Sequence, residues 1–164
     1  MNKILTIIII FLSTSVLSAN ERDAKLDKLF MELKNNITSS SPMIAQQIWS
    51  LWSTHPTDEK LTSILDEGSR LVQDRQLARA INVFTEVIKL DPTWAEAWNK
   101  RATVFYMVGE FDKSQDDIDK VLELEKRHFG ALAGQGMVNI QLKNYDKAKR
   151  SYQKVQEIYP AMKS

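Results

Sequence analysis

The side chains best suited to acid–base chemistry in this 164-residue chain are two histidines, His55 and His128. His55 precedes Pro56 in a predicted linker, and His128 lies in a predicted turn. We predict that both rings are solvated and that neither is catalytic. The sequence has no Cys, no Gly-rich phosphate loop and no zinc-ligand spacing, so thiolate and phosphate-loop chemistry are excluded. These features predict a protein that is not an enzyme and holds no cofactor.

Four acidic side chains recur at spacings of four, three and four, along one helix face: Asp112, Asp116, Asp119 and Glu123. They could form a weak divalent-cation site or a docking stripe for a basic partner. They could also be a solvated face, stabilised by a nearby helix start and by the pairs Asp116–Lys120 and Lys113–Asp117. Because cation sites usually also draw ligands from loops, the sequence favours the solvated face.

Composition points to one helical domain. Hydrophobic residues make up 43% of the chain, and five Gly and four Pro leave few breaks, which favours long helices over many short strands. The formal charge is +1; leaving out residues 1–19, with their single Lys, gives 21 basic and 21 acidic residues. A neutral chain has no broad attraction for nucleic acid, so we predict no nucleic-acid binding.

Residues 1–19 have the three parts of an export signal. A start with one Lys is followed by a nearly unbroken apolar run over residues 4–12, then by a segment rich in small residues. The run is shorter than the ~20 residues that cross a bilayer. We predict export with cleavage after Ala19 or Ser18. The alternative is an uncleaved anchor, which would be the chain's one attachment to a membrane.

A period of 34 residues divides the rest of the chain into residues 61–94, 95–128 and 129–162. Two columns hold small side chains: Gly68, Ala102 and Gly136 in one, and Ala80, Ser114 and Ala148 in the other. Large apolar columns surround them, at helical spacing. Each segment is therefore predicted to be a helix–turn–helix hairpin.

This pattern resembles the tetratricopeptide repeat (TPR), and residues 95–126 carry the closest match. The resemblance implies an all-α, right-handed superhelix of three repeats. Lys126 replaces the expected closing Pro, and Asn139 replaces an apolar residue, so we expect looser packing in the third repeat.

Residues 20–60 are predicted to form a degenerate N-terminal hairpin that covers the open end of the stack, because Ala45, Trp49 and Trp52 repeat the spacing of the second helices. Trp94 has no core column to fill, so it is either a partial cap between repeats or an exposed contact. At the other end, the polar outer face of the last helix predicts that the stack ends there.

The resemblance also implies a concave groove, lined by the first helix of each hairpin, that binds a protein or peptide. The predicted partner-binding residues are Leu65, Ser69, Asn99, Lys100, Thr103, Tyr106, Met137 and Ile140. Gly130, Ala133, Gly134 and Gly136 should leave room for close approach. The basic clamp for C-terminal carboxylates found in some relatives is absent, since only Lys100 is basic among the matching positions.

The sequence thus predicts an exported scaffold or adaptor, with a periplasmic location implied by the signal together with the family's frequency in Gram-negative bacteria. Three alternatives stay open. They are a self-associating structural module, a non-catalytic subunit of an envelope complex, and an enzyme. Self-association would make the protein a homo-oligomer, and the identity of any partner does not follow from the residues.

Overall fold

The computed structural model describes residues 21–35 and 40–162 of the chain, so the predicted export signal lies outside the described residues. The described part is helical, without strands, which confirms the expected all-α fold. Its helices are α1 (residues 21–35), α2 (Ser41–Ser53), α3 (Glu59–Gln73), α4 (Leu77–Leu90), α5 (Ala95–Met107), α6 (Phe111–Leu124), α7 (Phe129–Gln141) and α8 (Tyr145–Ile158). None of the described helices is both long and apolar enough to cross a bilayer.

Helices α3 to α8 form three stacked hairpins, α3–α4, α5–α6 and α7–α8, and the predicted helical superhelix is confirmed. Each hairpin turns at a residue in the left-handed region, and these residues are 34 positions apart: Arg75 (φ 60°), Gly109 (φ 81°) and Lys143 (φ 61°). A left-handed residue just past a helix end satisfies the last carbonyl groups and reverses the chain. The sequence period is therefore also a period of backbone conformation.

Small residues let the two helices of a hairpin touch. A Cβ atom built on Gly68 would overlap the ring of Phe84, and one on Gly136 would lie 2.5 Å from Cζ of Tyr152. The aromatic ring of the second helix thus rests directly on the backbone of the first helix. This accounts for the glycines at the first and third positions of one small-residue column.

Buried polar groups tie the repeats together. Asp117 on α6 is 4% exposed and accepts two hydrogen bonds of 2.8 Å from the Arg101 guanidinium, which also donates to Thr85 on α4. Asn139, expected to loosen the third repeat, is buried and donates to Gln115 of α6 at 2.6 Å. The substitution therefore exchanges an apolar contact for a hydrogen bond between repeats.

The N-terminal hairpin, α1 with α2, does not lie where the sequence predicted. Instead of covering the first repeat, it shares one apolar core with α7 and the end of α8. The buried residues of that core are Leu26, Leu29, Phe30, Leu33, Ile44, Ala45, Ile48 and Trp52 of the hairpin, with Phe129, Leu132, Val155 and Tyr159. The hairpin thus buries its apolar residues against the third repeat.

Candidate binding groove

Helices α3, α5 and α7 lie side by side and enclose two adjoining cavities, which together we call the groove. The first, of about 310 Å³, lies between α3 and α5 and is lined by Trp49, Ser69, Val72, Gln73, Phe84, Asn99, Lys100, Thr103 and Val104. The second, of about 90 Å³, lies between α5 and α7 and is lined by Asn99, Ala102, Thr103, Tyr106, Ser114, Ile118, Gly130, Ala131, Gly134, Met137 and Val138. Asn99 and Thr103 of α5 line both, so the two cavities are neighbours.

Six of the eight residues predicted to bind a partner line this groove: Ser69, Asn99, Lys100, Thr103, Tyr106 and Met137. Leu65 does not, because it is 1% exposed and forms part of the core of the first repeat. Ile140 lines neither cavity, although 44% of it is exposed one turn beyond Met137. Asn99 is 8% exposed, so little of it is open to a partner.

Trp49 closes one side of the groove and comes from α2, outside the repeats. Its ring lies directly on Gly130 of α7, where a Cβ atom would overlap it, and the residue lines the first cavity together with Asn99. Sequence spacing predicted that Trp49 is a core residue, and its side chain is partly buried. The sequence could not predict that Trp49 lines the groove, because this depends on where the N-terminal hairpin packs.

Glu96 joins the groove to the N-terminal hairpin. Its side chain is completely buried; Oε2 accepts from Asn99 at 3.2 Å and from His128 Nε2 at 3.1 Å, and Lys100 Nζ lies 3.4 Å from Oε1. Lys100 is thus already paired with a buried carboxylate one turn earlier on its own helix. Sequence reasoning missed Glu96, although an acid four residues before a Lys in the first helical turn was a visible signal.

His128 is not solvated, contrary to the prediction, but fully buried. Its Nδ1 accepts from the Ala131 N–H at 3.0 Å, so in the neutral ring Nε2 carries the proton and donates to Glu96. The ring stacks on Trp52 with centroids 4.0 Å apart and planes at 8°. The turn His is therefore the cap of α7 and a packing surface for the hairpin.

His55 is also buried, at 9% exposure, which corrects the second prediction of a solvated ring. Its Nδ1 accepts from the Asp58 N–H at 2.9 Å, and Nε2 lies 2.8 Å from Asp91 Oδ2. The indole of Trp94 packs edge-on against this ring and donates to the Trp52 carbonyl at 2.8 Å. Of the two roles predicted for Trp94, the structure supports the buried cap.

The contacts of Asp91 give a pH prediction. Burial would raise the pKa of Asp91, but hydrogen bonds from the Thr93 hydroxyl, His55 and the Thr93 N–H outweigh it, and the pKa is lowered. A carboxyl whose pKa is lower in the folded chain adds stability above its unfolded pKa, about 3.9, and loses it as the pH falls through the folded value. Asp91→Asn should therefore lower the urea midpoint at pH 7 more than at pH 2.5. An equal loss at both pH values would contradict this.

The acidic face of α6 is exposed, as the solvated interpretation predicted, but its ion pairs differ from the predicted ones. Lys120 pairs with Glu123 at 2.9 Å, and Lys113 pairs with Glu110 at 3.2 Å. Asp117 points inward to Arg101 instead. Among the described residues, no group of three or more His, Asp or Glu side chains could hold a metal ion.

The groove offers contact surface rather than reactive groups. Met137 is 43% exposed at its edge, and the Tyr106 ring packs against Phe111 with centroids 5.5 Å apart. The hydroxyls of Ser69 and Thr103 donate to their own helix, to the carbonyls of Leu65 and Asn99. A partly exposed apolar floor with satisfied polar groups around it suits a bound polypeptide segment.

Comparison with known proteins gives one match to a family model, the tetratricopeptide repeat, over residues 130–162. A TPR repeat-containing protein of Rhizobium etli is 30% identical over 138 residues, which cover 84% of this chain and 67% of that protein. Several other curated relatives are much longer, and the chain spans 10–16% of their length.

Two solved structures show the same fold. The second TPR of Spaghetti (RPAP3), bound to the HSP90 peptide SRMEEVD, has a TM-score of 0.59 and 21% identity, covering 60% of this chain and 91% of that one. A structure of MamA (AMB-1) has a TM-score of 0.55 and 14% identity, covering 84% of this chain and 98% of that one. At these identities, the likeness concerns the arrangement of helices.

Proposed function

Because this chain belongs to the tetratricopeptide-repeat family, whose hairpin stacks generally serve as non-catalytic interaction scaffolds, we propose that it is an adaptor that holds another protein in its groove. The partner is a polypeptide segment lying across α5 and α7. The observation that carries this proposal is the open cavity between those helices, with Tyr106 and Met137 at its edge. The peptide complex of a related fold supports a polypeptide ligand.

The N-terminal hairpin limits the surface that a partner can use. It packs at the start of α7, where Trp49 covers Gly130 and Trp52 covers His128. The later turns of α5 and α7 stay accessible, as the exposure of Thr103 and Met137 indicates. The proposed contact surface is therefore the half of the groove nearer the hairpin turns.

Met137→Asp should remove partner binding, because it places a charge in the apolar edge of the cavity. A residue central to an interface contributes about 2 kcal/mol or more, which corresponds to roughly 30-fold in affinity. Tyr106→Ala should weaken binding in the same direction. The measurement is the amount of envelope protein that co-purifies with each variant.

Met43→Asp is the matched control, because Met43 is 66% exposed on α2 and lines neither cavity of the groove. We expect the same amount of partner protein to co-purify with this variant as with the parent chain. If the Met137→Asp and Tyr106→Ala variants each bound the partner as well as the parent chain does, the groove would be excluded as the contact surface.

We further propose that the chain is exported and acts in the periplasm, on the basis of the signal-like residues 1–19. Mass spectrometry of the protein from a periplasmic fraction should show the loss of residues 1–19 or 1–18. An intact N-terminus on membrane-bound protein would instead support the uncleaved anchor. Intact protein in the cytoplasm would end the export proposal.

The second candidate function is a self-associating structural module. It is favoured by exposed apolar side chains outside the groove, among them Leu90 (58%) and Tyr145 (64%). Sedimentation of the purified chain over a range of concentrations distinguishes the two functions. A monomer at all concentrations supports the adaptor, and a concentration-dependent dimer that survives Met137→Asp supports the module.

A further inference from the structure

Gly134 differs from the other two glycines of α7. A Cβ atom on Gly136 would lie 2.5–2.7 Å from atoms of the Tyr152 ring, and one on Gly130 would overlap Trp49. On Gly134, a Cβ atom would meet one neighbour, Ile118 Cδ1, at an ordinary 3.5 Å. With these rings where they lie, a Cβ atom therefore fits at position 134 but not at positions 130 and 136.

The space beside Gly134 is the cavity between α5 and α7. Tyr106 and Thr103 line it from α5, Met137 from α7 and Ile118 from below. Glycine is less favourable than alanine inside a helix, since it leaves more backbone freedom to be lost on folding. At this position the smaller residue keeps the cavity open without being needed by the fold.

The groove is also neutral in charge. Lys100 is the one charged residue among the described residues that line its two cavities, and its Nζ lies 3.4 Å from the buried Glu96 carboxylate. A partner carboxylate bound to Lys100 would compete with Glu96 for that cation. Leaving a fully buried carboxylate without its cation is strongly unfavourable.

We infer that the groove selects an uncharged stretch of its partner and seats one aliphatic side chain over Gly134, while Glu96 excludes acidic segments. This inference rests on the proposed adaptor function and names the chemistry of its ligand. Gly134 sets the depth of the cavity, and Glu96 sets its charge. Charge complementarity points to a neutral segment, because the groove has no free cation or anion to offer among the described lining residues.

The first test is selection from a random linear peptide library on the immobilised full chain. The enriched peptides should be uncharged with one aliphatic position in common. Gly134→Leu should weaken the best of them by about tenfold or more, because its side chain fills the cavity that the ligand would occupy. Gly134→Ala should weaken it less, with a denaturation midpoint no lower than that of the parent.

Two controls keep this test interpretable. Ala78→Leu, on the exposed side of α4, should leave peptide affinity unchanged. Unchanged affinity in Gly134→Leu, or enrichment of acidic peptides whose binding is lost in Met137→Asp, would overturn the inference while leaving the adaptor function standing. Failure to enrich any peptide that depends on Met137 would overturn the adaptor function itself.

The second test concerns Glu96 and uses the heptapeptide SRMEEVD, which is bound in the related structure. The parent chain should bind it poorly, and Glu96→Gln should bind it about tenfold more tightly because Lys100 is released. The glutamine keeps an oxygen to accept from His128 and Asn99. Adding Lys100→Gln should remove the gain. Tight binding by the parent, or no gain in Glu96→Gln, would contradict the role of Glu96.

Discussion

Trp52→Ala is expected to lower the free energy of unfolding by about 3–5 kcal/mol, the range for removing a large buried aromatic side chain. The Trp52 ring is 4% exposed, stacks on His128 and packs against Phe30 and Phe129. Because small domains are stable by roughly 5–15 kcal/mol, such a loss is a large share of the total. Urea unfolding followed by circular dichroism gives the value.

The part of the molecule that loses stability in Trp52→Ala distinguishes a hairpin packed on α7 from the predicted hairpin that covers the first repeat. Because Trp52 fastens the N-terminal hairpin to α7, amide exchange should increase in α1, α2 and the first turn of α7, and much less in α3. Met43→Ala, on the exposed side of the same hairpin, should stay within about 0.5 kcal/mol of the parent. A loss below about 1 kcal/mol in Trp52→Ala, or increased exchange confined to α3, would contradict the fold-back of the hairpin.

Asp117→Ala is expected to cost about 3–5 kcal/mol, the range for removing one partner of a buried ion pair. The variant leaves the Arg101 guanidinium, whose side chain is 15% exposed, without the carboxylate that accepts two of its three hydrogen bonds. Burial raises the pKa of Asp117 although Arg101 opposes it, so the ionised carboxylate is not stabilised by folding. The stability lost in Asp117→Ala therefore comes mainly from the Arg101 charge, which no longer has a carboxylate partner.

A double variant tests this reasoning. Arg101→Met with Asp117→Leu removes both charges and keeps similar volume, so most of the stability lost in Asp117→Ala should return. The matched control is Lys113→Met, whose exposed pair with Glu110 should contribute about 0–1 kcal/mol. If the double variant were as unstable as Asp117→Ala, the loss would come from packing rather than from an unpaired charge.

The repeats could be predicted from sequence because their determinants are local and periodic. Gly68 and Gly136 mark the places where the two helices of the first and of the third hairpin come close, and the rings of Phe84 and Tyr152 cover them. The turn residues recur at the same 34-residue spacing. Such features depend on neighbours within the same hairpin, so periodicity predicts them well.

The hairpin placement and the burial of both histidines could not be predicted, since they depend on contacts between distant parts of the chain. Trp52 and His128 are 76 positions apart, and no period links them. The same holds for the groove, where six of the eight predicted residues line a cavity but its wall, Trp49, comes from outside the repeats. Leu65 was predicted in the groove because repeat position alone does not give the depth of a side chain; it is buried in the core of the first repeat.

The most direct test of the central claim, that the groove holds a protein partner, is an in-cell crosslink from a photoreactive residue placed at Tyr106. The account predicts capture of one other protein, lost when Met137→Asp is added and absent when the photoreactive residue is moved to Arg150 on the exposed side of α8. Capture of nothing, or of another copy of the same chain alone, would contradict it.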